Sequence, residues 1–386
     1  MVEKIGLPMA FERIVGQERA KKILLRAIEN GRLAHAYLFA GNDGLGKEAM
    51  SIELARLLNC RGTDKPCGTC RNCIQIDKLS HPNLKIIFPL PSGSSSAGGS
   101  PLKGLSQKEM DTIHRELQLK SENLYRPVAV PGAHNILINS IRELKREIYY
   151  SPLEGTKVVV FFNAHKMTQE ASNALLKILE EPPSRTVMVI TTSRIHALLP
   201  TIISRCQIIK FTPLSEGEIE NALILNNKAS PEKANLAARL SSGSYGKALN
   251  LIEADFSSTV QQLKEFLEVV KNGSYRDVAV MVGKLSALRY EEITDLIDFL
   301  KFLILWFRDA LIIKQIGDER GETLKLNRMF KSEIENFLKS HPDINIADII
   351  ELLENSIDLI DKNIYINLIL YNLIISMRKS IGKRYE

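Results

Sequence analysis

The chain has 386 residues, of which 45% are hydrophobic and 25% charged, and its formal net charge is +6. That length exceeds what one compact core needs, so two or three globular domains are expected. The longest apolar stretch, around 302–313, is interrupted by Trp306, Arg308 and Asp309 and is too short to cross a bilayer. The first residues show no signal-peptide pattern, so we expect a cytoplasmic protein that does not bind a membrane.

The positive charge is spread along the chain and permits contact with nucleic acid without requiring it. One small basic cluster, near the end of the chain, is predicted to be a solvated tail and consists of Arg378, Lys379, Lys383 and Arg384.

Short β-branched runs alternate with helical patterns through the first half of the chain, which is typical of a parallel α/β sheet. The candidate buried strands are Ala36–Ala40, Leu84–Phe88, Val158–Asn163, Val187–Thr191 and Gln207–Phe211. Two helices between them have clear boundaries. Lys47–Asn59 follows a glycine-rich loop, and Gln169–Glu181 stops at Pro182 and Pro183, which cannot continue a helix.

Two segments interrupt this alternation. Residues 91–104 (PSGSSSAGGSPLKG) are almost entirely Ser, Gly and Pro, and we predict a flexible surface insertion there. Residues 105–125 have weak helical periodicity and predict an insertion helix, to which the sequence assigns no role. After Pro213 no strand pattern recurs, and apolar residues follow helical spacing to the end of the chain.

A glycine-rich loop, Gly41–Glu48 (GNDGLGKE), follows the first strand and misses only the last position of the pattern G-x-x-x-x-G-K-[S/T]. Gly41, Gly44 and Gly46 allow the tight turn that directs backbone N–H groups at a phosphate, and Lys47 supplies a positive charge. Glu48 replaces the hydroxyl that would bind Mg²⁺. The pattern predicts a phosphate-loop fold and leaves open whether the loop holds ATP, ADP or nothing.

The acidic residues that a phosphate-loop ATPase needs are missing. Such an enzyme holds Mg²⁺ with a carboxylate at the end of a buried strand and polarises water with a second one. The candidate strand, within Lys157–His165 (KVVVFFNAH), is followed by no Asp or Glu before Glu170. We therefore predict that the chain alone does not hydrolyse ATP, and we interpret His165 as a satisfied or exposed histidine rather than a catalytic group.

Four of the five cysteines lie within fourteen positions: Cys60, Cys67, Cys70 and Cys73. In a reducing compartment such clustering indicates a metal rather than disulfides. The spacing C-x6-C-x2-C-x2-C, with turns at Pro66 and Gly68, predicts a closed tetrahedral Zn²⁺ site of structural rather than catalytic type.

In combination, these motifs resemble bacterial DNA polymerase III clamp-loader subunits of the gamma/tau and delta-prime type, which are AAA+ proteins. The similarity includes the phosphate loop, the cysteines after its helix, Asn173–Pro183 (NALLKILEEPP) and the triplet Ser204–Cys206. It extends from Phe11 to about Phe211 and more loosely over the C-terminal helices.

The resemblance implies a fold and a domain plan. We expect an α/β AAA+ domain with a RecA-like parallel sheet over 1–212, including a zinc module at 60–73 and the insertion at 91–104. A small helical lid would follow over 213–254, and an all-α collar domain that assembles the subunits would occupy 255–386.

The resemblance also implies roles for single residues. The segment 11–17 would line the adenine side of the nucleotide site, and Thr191 or Thr192 would be the first sensor. Arg205 would be the arginine finger, which in this family reaches into the ATP site of the neighbouring subunit. Phe162 and Asn163 stand where gamma/tau has its Asp and Glu, and Lys247 stands where an arginine is expected; Lys lacks the planar fork of Arg.

These departures favour a delta-prime-like stator, which completes the site of a gamma/tau neighbour without hydrolysing ATP itself. The implied partners are the gamma/tau and delta subunits, the sliding clamp and primer–template DNA, all within the DNA polymerase III holoenzyme. Two alternatives remain open. One is a gamma/tau-type ATPase with an unusual site, and the other is a zinc-dependent nucleic-acid-binding module, although no aromatic residue accompanies the basic ones around the cysteines.

Overall fold

The computed structural model describes residues 10–91, 101–102, 104–150, 154–253, 256–291, 293–316, 330–342, 344–362 and 364–381. Five parallel strands form one sheet in the order β2-β3-β4-β1-β5. The strands are β1 (Ala36–Ala40), β2 (Leu84–Ile87), β3 (Lys157–Phe161), β4 (Thr186–Thr192) and β5 (Gln207–Lys210). All five strands predicted from the sequence are therefore confirmed, with ends that differ by at most two residues.

Helices connect these strands and cover the sheet. They are α1 (Glu18–Glu29), α2 (Lys47–Asn59), α3 (Arg71–Asp77), α4 (Gln107–Glu122), α5 (Ile138–Ile148), α6 (Gln169–Glu180) and α7 (Pro200–Ile203). The predicted helix after the glycine-rich loop and the predicted insertion helix correspond to α2 and α4. Most of the Ser/Gly-rich segment predicted to be flexible, residues 92–100 and 103, lies outside the described residues.

Alternate residues of each strand face opposite sides of the sheet, because side chains alternate along a β-strand. On β3, Val158 and Val160 join an apolar cluster with α1, α2, α3 and α4. Val159 and Phe161 join a second cluster with α5, α6 and α7. Both faces of the sheet are therefore buried, as expected for parallel strands.

After β5 the described part of the chain contains helices and no strand, as predicted. The helices are α8 (Glu216–Leu225), α9 (Pro231–Leu240), α10 (Tyr245–Glu253), α11 (Phe256–Asn272), α12 (Tyr275–Glu291), α13 (Ile293–Ile316), α14 (Lys331–Ser340), α15 (Ile346–Asp361) and α16 (Ile366–Ser380). None of the described helices combines the length and the apolar character needed to cross a membrane.

The chain divides into two compact units. The first comprises Met1–Ile219 with Gly243–Lys247, and the second comprises Glu220–Ser242 with Ala248–Glu386. The second unit has its own core, in which residues of α9 pack with residues of α11 to α16. The three-domain division at 212 and 254 stays a prediction, and the residues of the predicted lid are shared between the two units.

Arg378 corrects the prediction of a solvated basic tail. Its guanidinium donates to the carbonyl oxygens of Val269, Val270 and Gly273 at 2.6–3.0 Å. It thereby closes the C-terminal end of α11, where helix carbonyls lack partners within the helix. Lys383 and Arg384 lie outside the described residues.

Candidate functional site

The phosphate loop lies between β1 and α2, where the sequence predicts it. Gly44 and Gly46 adopt φ angles of 72° and 91°, which favour glycine. A Cβ on Gly44 would lie 2.1 Å from Ser244 Oγ, so this close approach also requires glycine. No backbone N–H of Asn42–Gly46 donates to an acceptor in the described part of the chain. These N–H groups and the N-terminal end of α2 fit a phosphate group.

Lys47 is buried, with 5% of its surface exposed. Its ammonium donates to the carbonyl oxygens of Gly41 at 2.6 Å and Asn42 at 2.5 Å, and it lies 3.6 Å from the Asp43 carboxylate. Burial lowers the pKa of Lys47, and the Asp43 and Glu48 carboxylates oppose that effect. The lysine therefore links several residues of the loop.

Glu48, at the position of the missing magnesium hydroxyl, forms an ion pair with Lys120 of α4. The Lys120 side chain is 1% exposed, and its ammonium also donates to the carbonyl oxygen of Arg126 at 2.7 Å. The same ammonium lies 5.1 Å from the centroid of the Phe162 ring, within the range of a cation–π contact. Three kinds of partner therefore hold this buried charge.

The end of β3 carries no carboxylate. Phe162 is 1% exposed, and Asn163 follows with φ 53°, in the left-handed region. Thr191 of β4 links the two strands: its hydroxyl donates to Phe161 O at 3.1 Å and accepts from Asn163 N at 3.2 Å. The strand end itself therefore offers a divalent cation no carboxylate ligand, so these residues do not fit Mg²⁺.

His165 and Thr192 lie beside this strand end. The Thr192 hydroxyl is 3.2 Å from His165 Nδ1 and accepts from Arg194 N at 3.0 Å. Burial lowers the pKa of His165, although the nearby Asp43 carboxylate opposes the shift. His165 is therefore a hydrogen-bonded histidine, as predicted, and it lies within electrostatic range of the phosphate loop.

Tyr125 covers the loop from the side of the insertion. Its hydroxyl accepts from Val15 N at 2.8 Å, and its ring contacts that of Tyr245, with centroids 4.9 Å apart. A Cβ on Gly46 would lie 3.0 Å from Tyr125 Cε1. Burial raises the pKa of Tyr125, so it stays a neutral phenol.

The segment Ser244–Lys247 also contacts the loop. Ser244 Oγ donates to Asp43 O at 2.9 Å, and Gly246 N donates to Gly44 O at 3.0 Å. Lys247, for which the resemblance implies an arginine, follows Gly246 in α10.

Arg205 follows the C-cap of α7, Ser204, and 36% of its side chain is exposed. Its guanidinium donates to Thr201 O at 3.0 Å and to Glu180 Oε1 at 2.9 Å. A salt bridge this exposed contributes little, about 0–1 kcal/mol. Weak contacts therefore hold Arg205 at the surface. It lies between α7 and β5, whereas the phosphate loop lies between β1 and α2.

The four predicted cysteines come together, with their Sγ atoms all within 4.8 Å of one another. Backbone N–H groups of Gly62 and Cys67 donate to Cys60 Sγ, and that of Cys70 donates to Cys67 Sγ, at 3.2–3.4 Å. Hydrogen bonds from the Cys70 and Thr69 backbone lower the pKa of the Cys67 thiol to about 6, whereas burial raises the pKa of Cys73. Four sulfur donors in this arrangement fit the tetrahedral shell of Zn²⁺.

Asn59, the last residue of α2, fixes this cysteine module to the sheet. Its side chain donates to Thr156 O at 2.9 Å, and its backbone carbonyl accepts from Asn72 Nδ2 at 2.7 Å. Asn83 Nδ2 donates to Asn59 Oδ1 at 2.9 Å. The module is thus attached both to the strand β3 and to the helix that starts at the phosphate loop.

Comparison with known proteins identifies the family. A family model described as "DNA polymerase III, delta subunit" matches residues 16–215. The delta-prime subunit of DNA polymerase III from Bacillus subtilis (strain 168) is 31% identical over 341 residues, which are 88% of this chain and 89% of that protein. The chain belongs to this family. The resemblance to clamp-loader subunits of the delta-prime and gamma/tau group is therefore confirmed, and with it the α/β AAA+ fold class.

The tau subunits are more distant relatives. The Bacillus subtilis (strain 168) tau subunit is 25% identical over 378 residues, and the chain spans 58% of its length. The Escherichia coli (strain K12) tau subunit is 29% identical over 259 residues, and the chain spans 34% of its length. Among solved structures, a gamma subunit-related protein from Thermotoga maritima is 19% identical, with a TM-score of 0.40 over 95% of this chain and 99% of that one.

The sequence pointed to the phosphate loop and the cysteines, and the resemblance pointed to Arg205, but neither pointed to Lys120 or Tyr125. These two residues lie in and just after the insertion helix, 72 positions beyond Glu48 in the case of Lys120. An acidic residue at position 48, next to a buried strand end, requires a positive partner. That requirement is the signal in the sequence that points to a lysine elsewhere in the chain, such as those of α4.

Proposed function

We propose that this clamp-loader subunit is a delta-prime-like stator: it does not hydrolyse ATP, and it supplies Arg205 to the ATP site of a gamma/tau neighbour. The observation that carries the proposal is the end of β3, where Phe162 and Asn163 stand in place of two carboxylates. Without them, no residue of the strand end can hold a divalent cation or polarise an attacking water.

The contacts of Glu48 support the same conclusion. Its carboxylate is committed to the buried Lys120 ammonium. Breaking a buried ion pair by removing one partner costs about 3–5 kcal/mol, so Glu48 is not available as a metal ligand or a general base.

Arg205 is suited to a role in trans. It is partly exposed, and its partners, Glu180 and Thr201, form contacts that a stronger anion can replace. A guanidinium placed against the γ-phosphate of a neighbour stabilises the charge that develops in the transition state and contributes about 10³-fold or more to turnover.

The rest of the proposal concerns the assembly. Zn²⁺ at the four cysteines is structural, because four protein ligands leave no open position on the metal. The partners are the gamma/tau and delta subunits, with the sliding clamp and primer–template DNA as the substrates of the complex. Contact with DNA is through phosphates and is therefore salt-sensitive and independent of sequence. The C-terminal helices (255–386) are the collar that joins the subunits.

The test is the ATPase activity of the isolated chain and of the complex with its cognate gamma/tau and delta subunits, clamp and primed DNA. We expect no turnover from the chain alone. In the complex, Arg205→Ala and Arg205→Lys are both expected to remove a large part of the turnover, because Lys lacks the planar fork. Arg115→Ala, at an exposed position of α4, is the matched control and is expected to keep it.

Magnesium-dependent hydrolysis by the chain alone would instead support the gamma/tau-type alternative. Full turnover by the complex with Arg205→Ala would show that Arg205 does not act in trans, even if the isolated chain is inactive.

A further inference from the structure

The described part of the insertion between β2 and α5 packs within the first unit. Its two ends meet in an antiparallel bridge, in which Leu90 N donates to Asn135 O at 3.3 Å. Ile113 of α4 and Leu124 are buried in the same cluster as α2. The start of α4 is fixed by a capping box between Ser106 and Glu109. The segment 107–126 therefore has a defined position against the helix that begins at the phosphate loop.

This segment places a cation next to the phosphate loop. Lys120 comes from the last turn of α4, and its ammonium contacts the carboxylate at position 48 and the ring at position 162. In a phosphate-loop ATPase these two positions belong to the ligands of Mg²⁺, a hydroxyl and a carboxylate. The fixed ammonium of Lys120 repels a metal cation. It also neutralises the Glu48 carboxylate, which would otherwise attract one.

The same segment places the ring of Tyr125 beside the phosphate loop, where it contacts Val15 and Tyr245. If a nucleotide had its phosphates on Gly41–Lys47, segment 11–17 is the one expected to line its adenine. Tyr125 lies there: its hydroxyl is bonded to Val15 N, its ring lies against Gly46, and it contacts Tyr245. Its backbone oxygen also lies 3.1 Å from the position of a Cβ on Gly246. The three segments that would surround a base therefore surround Tyr125.

We propose that segment 107–126 is an internal occupant of the nucleotide site, with Lys120 in place of the metal ion and Tyr125 in place of the base, and that it excludes magnesium nucleotides from this chain. The inference deepens the proposed non-hydrolysing role, since it gives a second reason for inactivity besides the missing carboxylates. It does not depend on Arg205, because the two sites use different residues.

The test is equilibrium binding of ATP and ADP to the full-length chain, each with Mg²⁺ and with a chelator. The occupant is removed in Glu48→Ser/Lys120→Met/Tyr125→Ala, which restores a hydroxyl at 48 and leaves no unpaired charge. Lys108→Met/Tyr150→Ala changes an exposed lysine of α4 and an exposed tyrosine, and it is the matched control. We expect the triple variant to bind magnesium nucleotide at least about tenfold more tightly than the wild type and the control.

Two results would overturn the inference. Binding of nucleotide by the wild type as tight as by the triple variant shows that the segment does not exclude it. Absence of binding by both shows that the loop itself, and not segment 107–126, is the barrier. Neither result changes the effect of Arg205→Ala on the complex, so failure of this inference is distinguishable from failure of the stator role.

Hydrogen exchange of the wild type keeps the inference testable if the triple variant does not fold. Millimolar Mg²⁺ and ATP are expected to leave the exchange of residues 41–50 and 107–126 unchanged, because the site is already filled. Protection of 41–50 together with faster exchange of 107–126 would show that nucleotide displaces the segment, contrary to the proposal.

Discussion

At Gly62 the chain passes so close to Cys67 that a Cβ would lie 2.6 Å from Cys67 Cβ and 2.9 Å from its sulfur. The glycine is thus required by the turn that brings the first cysteine to the other three. Cys60 and Cys73 are buried, whereas Cys67 and Cys70 are partly exposed. The two buried cysteines therefore anchor the site in the protein interior, and the two partly exposed cysteines complete it at the surface.

Replacing one of these outer cysteines is expected to release the metal. Cys67→Ser leaves three thiolates, and a hydroxyl is a poor ligand for Zn²⁺. We expect about one Zn²⁺ for each wild-type chain and far less for the variant, measured by elemental analysis of the purified proteins. Cys206→Ser, which removes the cysteine outside the cluster, is the control and is expected to keep the metal. Equal zinc content in all three proteins would contradict the assignment.

The cysteines and the loop glycines could be predicted because each belongs to a short pattern whose spacing carries the chemistry, whereas only the resemblance to the clamp-loader family singled out Arg205. Lys120 could not be predicted, because its neighbours in the site come from α2 and β3, far away along the chain. A lysine in a helix is normally solvated, yet this one is 1% exposed. The contact depends on how α4 packs, and a weak helical pattern predicts the helix without predicting its neighbours.

At the scale of elements, the sheet shows why the insertion is tolerated. The insertion follows β2, which forms one edge of the described sheet and pairs with β3. An excursion from an edge strand interrupts no other strand pairing, so β3 and β4 keep their register. The position of every strand along the chain was predictable from short apolar runs, whereas the order of the strands in the sheet was not. The ends of β2, β3 and β5 were placed one or two residues too late because apolar residues continue past them.

The N-terminal cap of α4 gives a prediction for this element. Ser106 Oγ accepts from Glu109 N at 3.4 Å, and the Glu109 carboxylate accepts from Ser106 N at 2.7 Å. Ser106→Ala is expected to destabilise the start of α4 by about 1 kcal/mol, seen as faster amide exchange over 107–114. Ser121→Ala, in the last turn, is expected to have no such effect, since Ala is the better helix former. Unchanged exchange in Ser106→Ala would mean that packing alone fixes the helix.

At the scale of the whole molecule, the chain has separate apolar cores in its two units. The length of the sequence predicted more than one domain, and the change from alternating to purely helical patterns after Pro213 indicated where the α/β part ends. The sequence did not predict that Gly243–Lys247 belongs with the first unit. This short segment belongs with the first unit because Ser244 and Gly246 form hydrogen bonds with the phosphate loop. Such contacts cannot be predicted from the periodicity of apolar residues.

Removing the metal is expected to affect one unit only. All four cysteines and Asn59 lie in the first unit, and among the described residues none of the second unit contributes to the cysteine cluster. A strong chelator should therefore raise amide exchange across residues 59–78 and leave that of α12, α13 and α15 unchanged, because bound metal stabilises the structure that holds it. Uniform exchange changes in both units would contradict this expectation, and re-addition of Zn²⁺ is the control for reversibility.

The pairing of Glu48 with Lys120 also limits how this chain can evolve. A single codon change that restores a hydroxyl at position 48 leaves the buried ammonium without its carboxylate, and a change at position 120 alone leaves the carboxylate without its ammonium. Either intermediate carries an uncompensated charge and is less stable. The two positions are therefore coupled, and a lineage that changes one of them is expected to change the other as well.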